Sequence, residues 1–431
     1  MPRRDAGRWV SAGPCVSATI FILPLHKILT MQAFIVDGVR TPIGSFGGSL
    51  GPVRGDDLAA HVIRQLLDRH PGLDVEAVDD VILGCVNQAG DDNRNVARMA
   101  LLLAGLPVSI PGETVNRLCA SGMSATVQAA RAIMAGDGHL FISGGMEHMT
   151  RSPYVISKAS KPYGTDAQMV DSSFGWRFVN PKMESMYGTE AMGKTAENLA
   201  EMYNISREDQ DAFACQSQMK ATAARSSGRL AQEITAVHIP VKGKDAQVFE
   251  HDEFIKPNTS IDVLATLKPA FKKDGTVTAG NASGLNDGAA ALLIASEQAL
   301  QQHKLTPLTR IISSAVVGVE PRIMGIGPVK ASQQALAKAG LTLDQMDHIE
   351  INEAFAAQVL ACTRQLGLED YDPRINPNGG AIALGHPLGM TGARILLAAS
   401  RELVNTGKQY ALVTMCIGVG QGYAVVIGRA Q

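Results

Sequence analysis

The stretch Thr114-Val-Asn-Arg-Leu-Cys-Ala-Ser-Gly-Met123 places a lone cysteine between an apolar approach and a run of small residues. An Ala-rich helical stretch follows and extends to about Ala135. The pattern predicts a strand, a sharp elbow and a helix, with the Cys119 thiol at the helix N-terminus. Unpaired backbone N–H groups and the positive end of the helix dipole favour a thiolate there. Such a thiolate can attack a carbonyl and become acylated, whereas a buried, inert cysteine is the alternative.

Length and composition narrow the classes of function. With 431 residues the chain can form two or three domains with large cores. Its 39 Lys and Arg nearly balance its 41 Asp and Glu, which gives no reason to propose a nucleic-acid partner. The six cysteines are scattered, without a C-x-x-C pair or metal-ligand spacing. Disulfides and structural zinc are therefore not expected, and the reducing cytoplasm is the predicted location.

The first thirty residues differ from the rest. Arg3, Arg4 and Arg8 precede an apolar run over residues 15–25, and Met31 opens a strand pattern. A secretory or organelle signal is one interpretation. The run is too short to span a membrane, and no convincing cleavage site follows it. We therefore favour a disordered or non-native extension over residues 1–30, and we expect no membrane partner.

Strands alternate with helices on both sides of a long irregular segment, which implies parallel βαβ units. The pattern predicts strands at 32–39, 80–86, 139–143, 289–295, 310–319, 348–351, 410–416 and 422–427. It predicts helices at 57–69, 121–135, 196–203, 207–225, 331–339 and 392–406. The two α/β regions have similar size, which suggests an internal duplication.

The irregular segment predicts an insertion that shapes a binding cleft. We expect an N-terminal half over residues 31–151, completed by about 279–305. The inserted domain is expected over 152–278 and the C-terminal half over 306–431.

Two polar side chains are candidate site residues, and the first, Asn352, directly follows the predicted strand at 348–351, where open α/β sheets place their ligands. Asn352, in Asn352-Glu-Ala-Phe-Ala356, can orient water or donate to an oxygen, although a helix N-cap is an alternative. His386 lies in the glycine-rich loop of residues 378–389, before a predicted helix. A histidine in such a mobile loop is better explained as a ligand-facing donor or base than as a core residue. The loop could also bind a phosphate.

A second cysteine, Cys416, ends a predicted strand in Met415-Cys-Ile-Gly-Val-Gly420. It could be a core residue, a nucleophile or a proton carrier. Together with Cys119 and His386 it suggests that one thiolate holds an acyl group while the other sulfur moves a proton at carbon. A metal site of these three residues competes with this interpretation, but their wide spacing matches no ligand motif.

Five ordered motifs resemble the thiolases, and the match extends from about Met31 to Arg429. The motifs are Asn116-Arg-Leu-Cys-Ala-Ser-Gly122, Gly280-Asn-Ala-Ser-Gly-Leu-Asn-Asp-Gly288, Asn352-Glu-Ala-Phe-Ala356, Gly385-His-Pro-Leu-Gly389 and Cys416-Ile-Gly418. The resemblance implies an α/β thiolase fold, with duplicated βαβαβ halves in a five-layered α-β-α-β-α core and a loop domain inserted over the active site. It implies a homodimer or homotetramer, with acyl-CoA and coenzyme A as substrates and no metal or organic cofactor.

The resemblance also implies roles for five residues. Cys119 would be the nucleophile that takes the acyl group. His386 would activate it and, with a water held by Asn352, form a first oxyanion hole. Cys416 would remove or return the proton at the α-carbon. The backbone N–H groups of Cys119 and Gly418 would form the second hole.

Coenzyme A contacts follow from the same resemblance, although core packing is the alternative for the methionines. The matching positions are Ser283, Ala279, Met192, Met324, Ala354, Phe355 and Lys256. Lys256 stands where some relatives have Arg, and Val263 replaces a Ser. A lysine keeps the positive charge near the phosphates but loses the bidentate fork of arginine.

Several stretches resemble the branch of thiolases that cleaves 3-oxoadipyl-CoA in aromatic degradation. They are Asn87-Gln-Ala-Gly-Asp-Asp-Asn-Arg-Asn-Val-Ala-Arg98, Phe174-Gly-Trp-Arg-Phe-Val-Asn180, Gly385-His-Pro-Leu-Gly-Met390 and Cys416-Ile-Gly-Val-Gly-Gln421. The distal carboxylate of that substrate needs a cation or several amide donors, and Arg177 and Lys194 are the candidates.

Three alternatives remain open. Residues 191–196 resemble general acetoacetyl-CoA thiolases instead, so a general acetyl-CoA acetyltransferase or 3-ketoacyl-CoA thiolase is possible. A non-catalytic CoA- or lipid-binding protein on the same fold is a second alternative. A condensing synthase is a third, but it resembles a Cys-His-His pattern rather than the two cysteines of this chain.

Overall fold

The computed structural model describes residues 31–430. The predicted extension over residues 1–30 lies outside this range. Within residues 31–430, no helix has both the length and the apolar character needed to cross a membrane.

The strands and helices are numbered in chain order. The strands are β1 Ala33–Arg40, β2 Gly44–Ser45, β3 Asp80–Gly84, β4 Gly112–Val115, β5 Leu140–His148, β6 Tyr154–Ile156, β7 Met169–Asp171, β8 Val237–Ile239, β9 Gln247–Phe249, β10 Asn286–Ser296, β11 Thr309–Gly318, β12 His348–Ile351, β13 Tyr410–Ile417 and β14 Gln421–Arg429. The helices are α1 Gly55–Asp68, α2 Val96–Leu103, α3 Ser121–Ala135, α4 Pro181–Tyr187, α5 Met192–Met202, α6 Arg207–Ser226, α7 Ile261–Ala265, α8 Glu297–Gln302, α9 Gly327–Ala339, α10 Ala356–Gln365, α11 Ala381–Leu384 and α12 Leu388–Thr406.

Nine of the sheet strands follow the order β12-β13-β14-β11-β1-β10-β5-β3-β4, and β2 pairs with β10. The pairs β3–β4, β3–β5 and β12–β13 are parallel, as predicted. The pairs of β10 with β1 and β5, and of β14 with β11 and β13, are antiparallel, so the prediction of uniformly parallel units is wrong there. The physical reason is clear for β13 and β14, because the short turn between them leaves no room for a crossover helix.

Five layers account for the core. Helices α1 and α2 cover one face of the β1-β10-β5-β3-β4 region, and α9 and α10 lie on the outer side of the β12-β13-β14-β11 region. Helices α3 and α12 pack between these two regions in a central layer of mostly apolar side chains. The predicted five-layered fold is confirmed.

The two halves repeat one topology. The strand order β3-β5-β10-β1 of the N-terminal half matches the order β12-β13-β14-β11 of the C-terminal half, and α3 and α12 occupy equivalent places. In the N-terminal half a fifth strand, β4, pairs with β3. In the C-terminal half the counterpart of β4 is reduced to one parallel bridge between Ile349 and Ile375. The similarity lies in the path of the chain, which explains why no residue-level repeat is visible in the sequence.

The segment between β5 and β10 is more ordered than its sequence pattern indicates. It contains the two predicted helices, the first of which begins four residues earlier than expected, at Met192. It also contains the short helices α4 and α7 and the two-stranded pairs β6–β7 and β8–β9.

Candidate active site

The central helices α3 and α12 begin side by side. A Cβ on Gly122 would meet the Gly389 carbonyl oxygen at 2.6 Å, and a Cβ on Gly392 would meet the Met123 backbone nitrogen at 2.4 Å. Only glycine permits so close an approach. Because Cys119 and His386 each stand two residues before one of these helices, they come to the same end of the layer.

Cys119 lies in a strained elbow between β4 and α3. The preceding residue, Leu118, has φ +46°, a left-handed conformation that is unusual for a branched side chain. The backbone N–H groups of Gly418 and of Cys119 itself point at the Cys119 sulfur. These are the two amides predicted to form the second oxyanion hole.

The resting state of Cys119 differs from our expectation. Burial raises the pKa of its thiol above the ordinary value, and the two backbone N–H groups lower it by less. The predicted preference for a thiolate at the elbow is therefore wrong for the free protein, because desolvation outweighs the amide dipoles. The thiol needs a base to become a nucleophile.

His386 is the predicted base, and hydrogen bonds fix its ring and its backbone. Its Nδ1 lies 2.7 Å from Thr391 Oγ1, and its backbone N–H donates to Asn286 Oδ1 at 2.9 Å. The Thr391 hydroxyl donates its single hydrogen to the Pro387 carbonyl oxygen at 2.8 Å. Nδ1 must therefore donate to Thr391, which leaves the acceptor lone pair on Nε2, facing Asn352 Nδ2.

The His386 ring is neutral. Burial lowers its pKa to about 3, and the positive charge of Arg394 adds to this effect. The side chain is 4 % exposed, so the expectation of a mobile loop is wrong. The glycines around His386 provide close packing instead of freedom of movement.

Asn352 follows β12 and faces the histidine. Its Nδ2 lies 3.4 Å from His386 Nε2. Its Oδ1 is buried and has no hydrogen-bond partner among residues 31–430. Helix α10 begins only at Ala356, so Asn352 is not its N-cap. A side chain with one open acceptor beside the histidine fits the predicted role of holding a water.

Cys416 lies near the end of β13 and is 1 % exposed. Burial raises the pKa of its thiol well above the ordinary value, and the nearby Cys119 and Cys362 sulfurs raise it further. The backbone N–H of Asn352 donates to the carbonyl oxygen of Thr414, two residues before Cys416, at 3.0 Å. The two cysteines, the asparagine and the histidine thus converge on one place.

The turn after Cys416 is also strained. Val419 has φ +62°, which is a genuine outlier for a β-branched residue, and Gly420 has φ +83°. This conformation accompanies the approach of the Gly418 N–H to Cys119.

Most predicted coenzyme A contacts lie together beside Cys416. Four of them join Cys416, Ala196, Val277 and Ala282 in one apolar cluster: Met192, Met324, Ala354 and Phe355. Ser283 is next to this group, since its backbone N–H donates to the Ala354 carbonyl oxygen at 3.0 Å.

The other two predicted contacts lie outside the apolar cluster. Ala279 is exposed. Lys256 is also exposed, and its Nζ lies 4.8 Å from the centre of the Phe254 ring. That ring packs against Gly284, next to Ser283. Lys256 is thus at the outer edge of the same region, where a charged phosphate could remain partly solvated.

The sequence interpretation missed one buried carboxylate. Glu147, at the end of β5, accepts hydrogen bonds from the backbone N–H groups of Val86, Asn87 and Gly389 at 3.1, 3.0 and 2.9 Å. Burial raises its pKa to about 7. A charged residue at the end of the apolar run of residues 140–146 was the available signal.

Glu147 lies within 4.8 Å of ligand atoms of Cys85 and Asp92. The Cys85 thiol donates to Asp92, and Asp92 also accepts from the backbone N–H groups of Gln88 and Gly90. These bonds order the loop after β3, and they account for the cluster without an ion.

The comparisons with known proteins agree with the fold and with this arrangement. Residues 33–298 match the family "Thiolase, N-terminal domain", and residues 305–429 match "Thiolase, C-terminal domain". The 3-oxoadipyl-CoA/3-oxo-5,6-dehydrosuberyl-CoA thiolase of Escherichia coli (strain K12) is 58% identical over 398 residues, 92% of this chain and 99% of that protein. The beta-ketoadipyl-CoA thiolase of Pseudomonas aeruginosa (strain PAO1) is 55% identical over 93% of this chain and 100% of that protein.

Solved structures give the same result. Human mitochondrial 3-ketoacyl-CoA thiolase in complex with CoA aligns with a TM-score of 0.86 and 41% identity, over 94% of this chain and 99% of that chain. The predicted family is confirmed by both kinds of comparison. The chain belongs to the thiolase family of enzymes.

Proposed function

We propose that this chain cleaves 3-oxoadipyl-CoA with coenzyme A to give succinyl-CoA and acetyl-CoA. The observation that supports the reaction is the convergence of Cys119, His386, Asn352 and Cys416 at the start of α3 and α12. The substrate follows from relatives named beta-ketoadipyl-CoA thiolases, which are 53–58% identical to the chain over nearly its whole length.

The first step is transfer of the acyl group to Cys119. His386 Nε2, which carries the acceptor lone pair of the ring, takes the thiol proton, and the sulfur attacks the C3 carbonyl of the substrate. The carbonyl oxygen gains negative charge during this attack. Donors placed at such an oxygen contribute roughly 3–4 kcal/mol each in other enzymes.

The second step breaks the C2–C3 bond. Its electron pair passes to the acetyl-CoA part as an enolate, and the Cys416 thiol donates a proton to C2. The raised pKa of Cys416 supports this assignment, because the thiol is protonated at rest and can act first as an acid. Acetyl-CoA then leaves, with the acyl group bound to Cys119.

The last step returns both sulfurs to their starting states. The Cys416 thiolate takes the proton of the incoming coenzyme A thiol, and the coenzyme A sulfur attacks the acyl-Cys119 thioester. When the Cys119 sulfur leaves, the protonated His386 returns its proton. Each proton that moves therefore has a named donor and acceptor.

The decisive experiment compares kcat/KM for 3-oxoadipyl-CoA and acetoacetyl-CoA with coenzyme A as the second substrate. We expect the ratio to favour 3-oxoadipyl-CoA by at least about tenfold. A preference for acetoacetyl-CoA would support the general acetyltransferase suggested by residues 191–196. Cleavage of neither compound would support a CoA-binding protein without catalysis.

We propose further that the active form is a homodimer or homotetramer in the cytoplasm, and that no metal or organic cofactor takes part. The α-proton of a thioester is already acidified, and coenzyme A is itself a substrate. Sedimentation of the purified protein tests the assembly. Full activity after treatment with a chelator is the expected result for a metal-free reaction.

A further inference from the structure

Arg177, between β7 and α4, is held in place by the loop that follows β3. Its Nη1 donates to Asn87 Oδ1 at 2.7 Å and to the Ser172 carbonyl oxygen at 3.4 Å. Its Nη2 donates to the Asn87 carbonyl oxygen at 3.1 Å. The side chain is half-buried. Three bonds to two fixed residues are more than a solvated surface arginine needs, so the guanidinium has a defined orientation.

Asn87 in turn joins this arginine to the catalytic loops. Its backbone N–H donates to the Glu147 carboxylate, which also accepts the N–H of Gly389, three residues after His386. The neighbouring Val86 carbonyl accepts from Asn116 Nδ2 at 3.0 Å, and Asn116 Oδ1 accepts from the Leu118 N–H at 2.9 Å.

Arg177 is therefore connected by short hydrogen-bonded links to the loops of both His386 and Cys119. The neighbouring Trp176 lines a cleft together with Met192 and with Val419, which belongs to the turn after Cys416.

The bonding leaves one edge of the guanidinium free. Of the five N–H groups of Arg177, the Nε–H and one Nη2–H have no acceptor within residues 31–430. These two groups are parallel and form the fork that binds a carboxylate through both oxygens. A bound carboxylate would complete the hydrogen bonding of the side chain.

Two other cations, Lys194 of the inserted segment and Arg322 after β11, do not offer this edge. Arg322 uses its Nε and Nη2 for the Glu190 carboxylate, at 3.2 and 2.7 Å. Lys194 has a single charged nitrogen, which cannot form a bidentate pair and lies within the field of Glu190. Arg322 also demonstrates within this molecule how the same edge binds a carboxylate.

We propose that Arg177 binds the distal carboxylate of a 3-oxoacyl-CoA whose acyl chain ends in a carboxylic acid. The inference rests on the proposed function, and it names the residue that selects the acyl group. Asn87 and Ser172 orient the arginine, and the free edge accepts the carboxylate while the C3 carbonyl lies at Cys119. An acyl chain that ends in a methyl group gains nothing from this contact.

The test uses two substrates that differ only at the end of the acyl chain, 3-oxoadipyl-CoA and 3-oxohexanoyl-CoA. The wild type, Arg177→Gln, Arg177→Lys and the matched control Arg322→Gln are compared by kcat/KM for both substrates. We expect Arg177→Gln to lower kcat/KM for 3-oxoadipyl-CoA by about tenfold to a hundredfold more than kcat/KM for 3-oxohexanoyl-CoA. Arg177→Lys should recover part of the loss, and Arg322→Gln should not change the ratio.

Turnover of 3-oxohexanoyl-CoA reports that the variants are folded. Equal losses on both substrates, no loss on either, or a changed ratio in Arg322→Gln in place of Arg177→Gln would overturn the inference. A wild type that cleaves 3-oxohexanoyl-CoA but not 3-oxoadipyl-CoA would instead overturn the proposed substrate, and a wild type inactive on both would overturn the reaction.

Discussion

The two halves of the core place different side chains at equivalent positions. Two residues before the central helix, the N-terminal half has Cys119 and the C-terminal half has His386. On β5, Glu147 stands two residues after the last residue paired with β3. On β13, Cys416 stands two residues after the last residue paired with β12. Cys85, one residue after the last paired residue of β3, corresponds to Asn352, one residue after the last paired residue of β12.

This comparison separates what the fold provides from what the side chains do. The fold provides three positions per half at one end of the central layer. In the N-terminal half, Glu147 and Cys85 hold the loop after β3 through internal hydrogen bonds. In the C-terminal half, Asn352 keeps an open acceptor and Cys416 lies beside the Cys119 sulfur. Three of the four residues with proposed chemical roles, Asn352, His386 and Cys416, thus belong to the C-terminal half, whereas the N-terminal half contributes Cys119 and the supporting hydrogen bonds.

The largest expected effect concerns the nucleophile. Cys119→Ala removes the proposed acceptor of the acyl group, a sulfur that interacts with the backbone N–H groups of Gly418 and of Cys119 itself, so we expect kcat to fall by at least about a thousandfold. Steady-state thiolysis of 3-oxoadipyl-CoA measures the loss. The control is Cys215→Ala, a cysteine on α6 whose thiol donates to the Thr259 carbonyl oxygen at 3.8 Å, and this variant should retain activity. Wild-type turnover by Cys119→Ala would remove the mechanism.

The Cys416→Ala variant tests whether the two cysteines have separate tasks. We expect overall thiolysis to fall by about a hundredfold to ten-thousandfold, because the proton at C2 loses its carrier. Acylation of Cys119 by acetyl-CoA should be slowed less than overall thiolysis, since coenzyme A can leave as a stable thiolate without a proton donor. Loss of both steps together in a folded variant would show that the two cysteines do not have separate tasks.

The pH dependence tests the histidine. Because its pKa is about 3, His386 stays able to accept a proton above that value, and kcat/KM of the wild type should be nearly flat between about pH 6 and pH 8. His386→Ala must rely on spontaneous ionisation of Cys119, whose pKa is raised by burial. Its residual rate should rise about tenfold per pH unit over the same range. A flat profile for the variant would contradict the assigned role.

The next prediction concerns Glu147, which holds the loop after β3 in the N-terminal half. Its pKa of about 7 in the folded protein exceeds the ordinary 4.5, so between these values the folded state holds a proton that the unfolded state has lost. Stability of the wild type therefore falls as pH rises through this window, by up to about 3 kcal/mol. Glu147→Gln should lack this fall, whereas the exposed Glu369→Gln should keep it. Denaturant unfolding at pH 5 and pH 7.5 is the measurement, and identical pH dependence in all three proteins would refute the assignment.

The smallest effect is expected at the outer edge of the region of predicted coenzyme A contacts. Lys256→Ala removes one exposed charge near the proposed phosphate contacts, so KM for coenzyme A should rise about twofold to fivefold while kcat stays the same. Lys273→Ala, an exposed lysine of the same segment, is the control. A change in kcat would place Lys256 in the chemistry and not at the edge.

Local patterns in the sequence predicted most elements of the core, although helices α2 and α10 were missed. The bounds of α3 and β12 agree with the predicted ranges 121–135 and 348–351, because helical and strand periodicity are local properties. The antiparallel placement of β10 was not predictable in this way, since its partners β1 and β5 are set by tertiary pairing across the insertion.

The chemical state of the site could be predicted less well than its members. The motifs indicated Cys119 and His386, but the neutral resting state of both depends on burial, which the sequence does not display. The role of Glu147 likewise depends on three backbone N–H groups from separate loops.

The most direct test of the central claim is to locate the acyl group. The wild type is incubated with acetyl-CoA without an acceptor, quenched in acid, digested and mapped by mass spectrometry. We predict one acetyl group on Cys119 and none on Cys416 or the other cysteines. An acetyl group on Cys416, or a protein that remains entirely unmodified, would contradict the account.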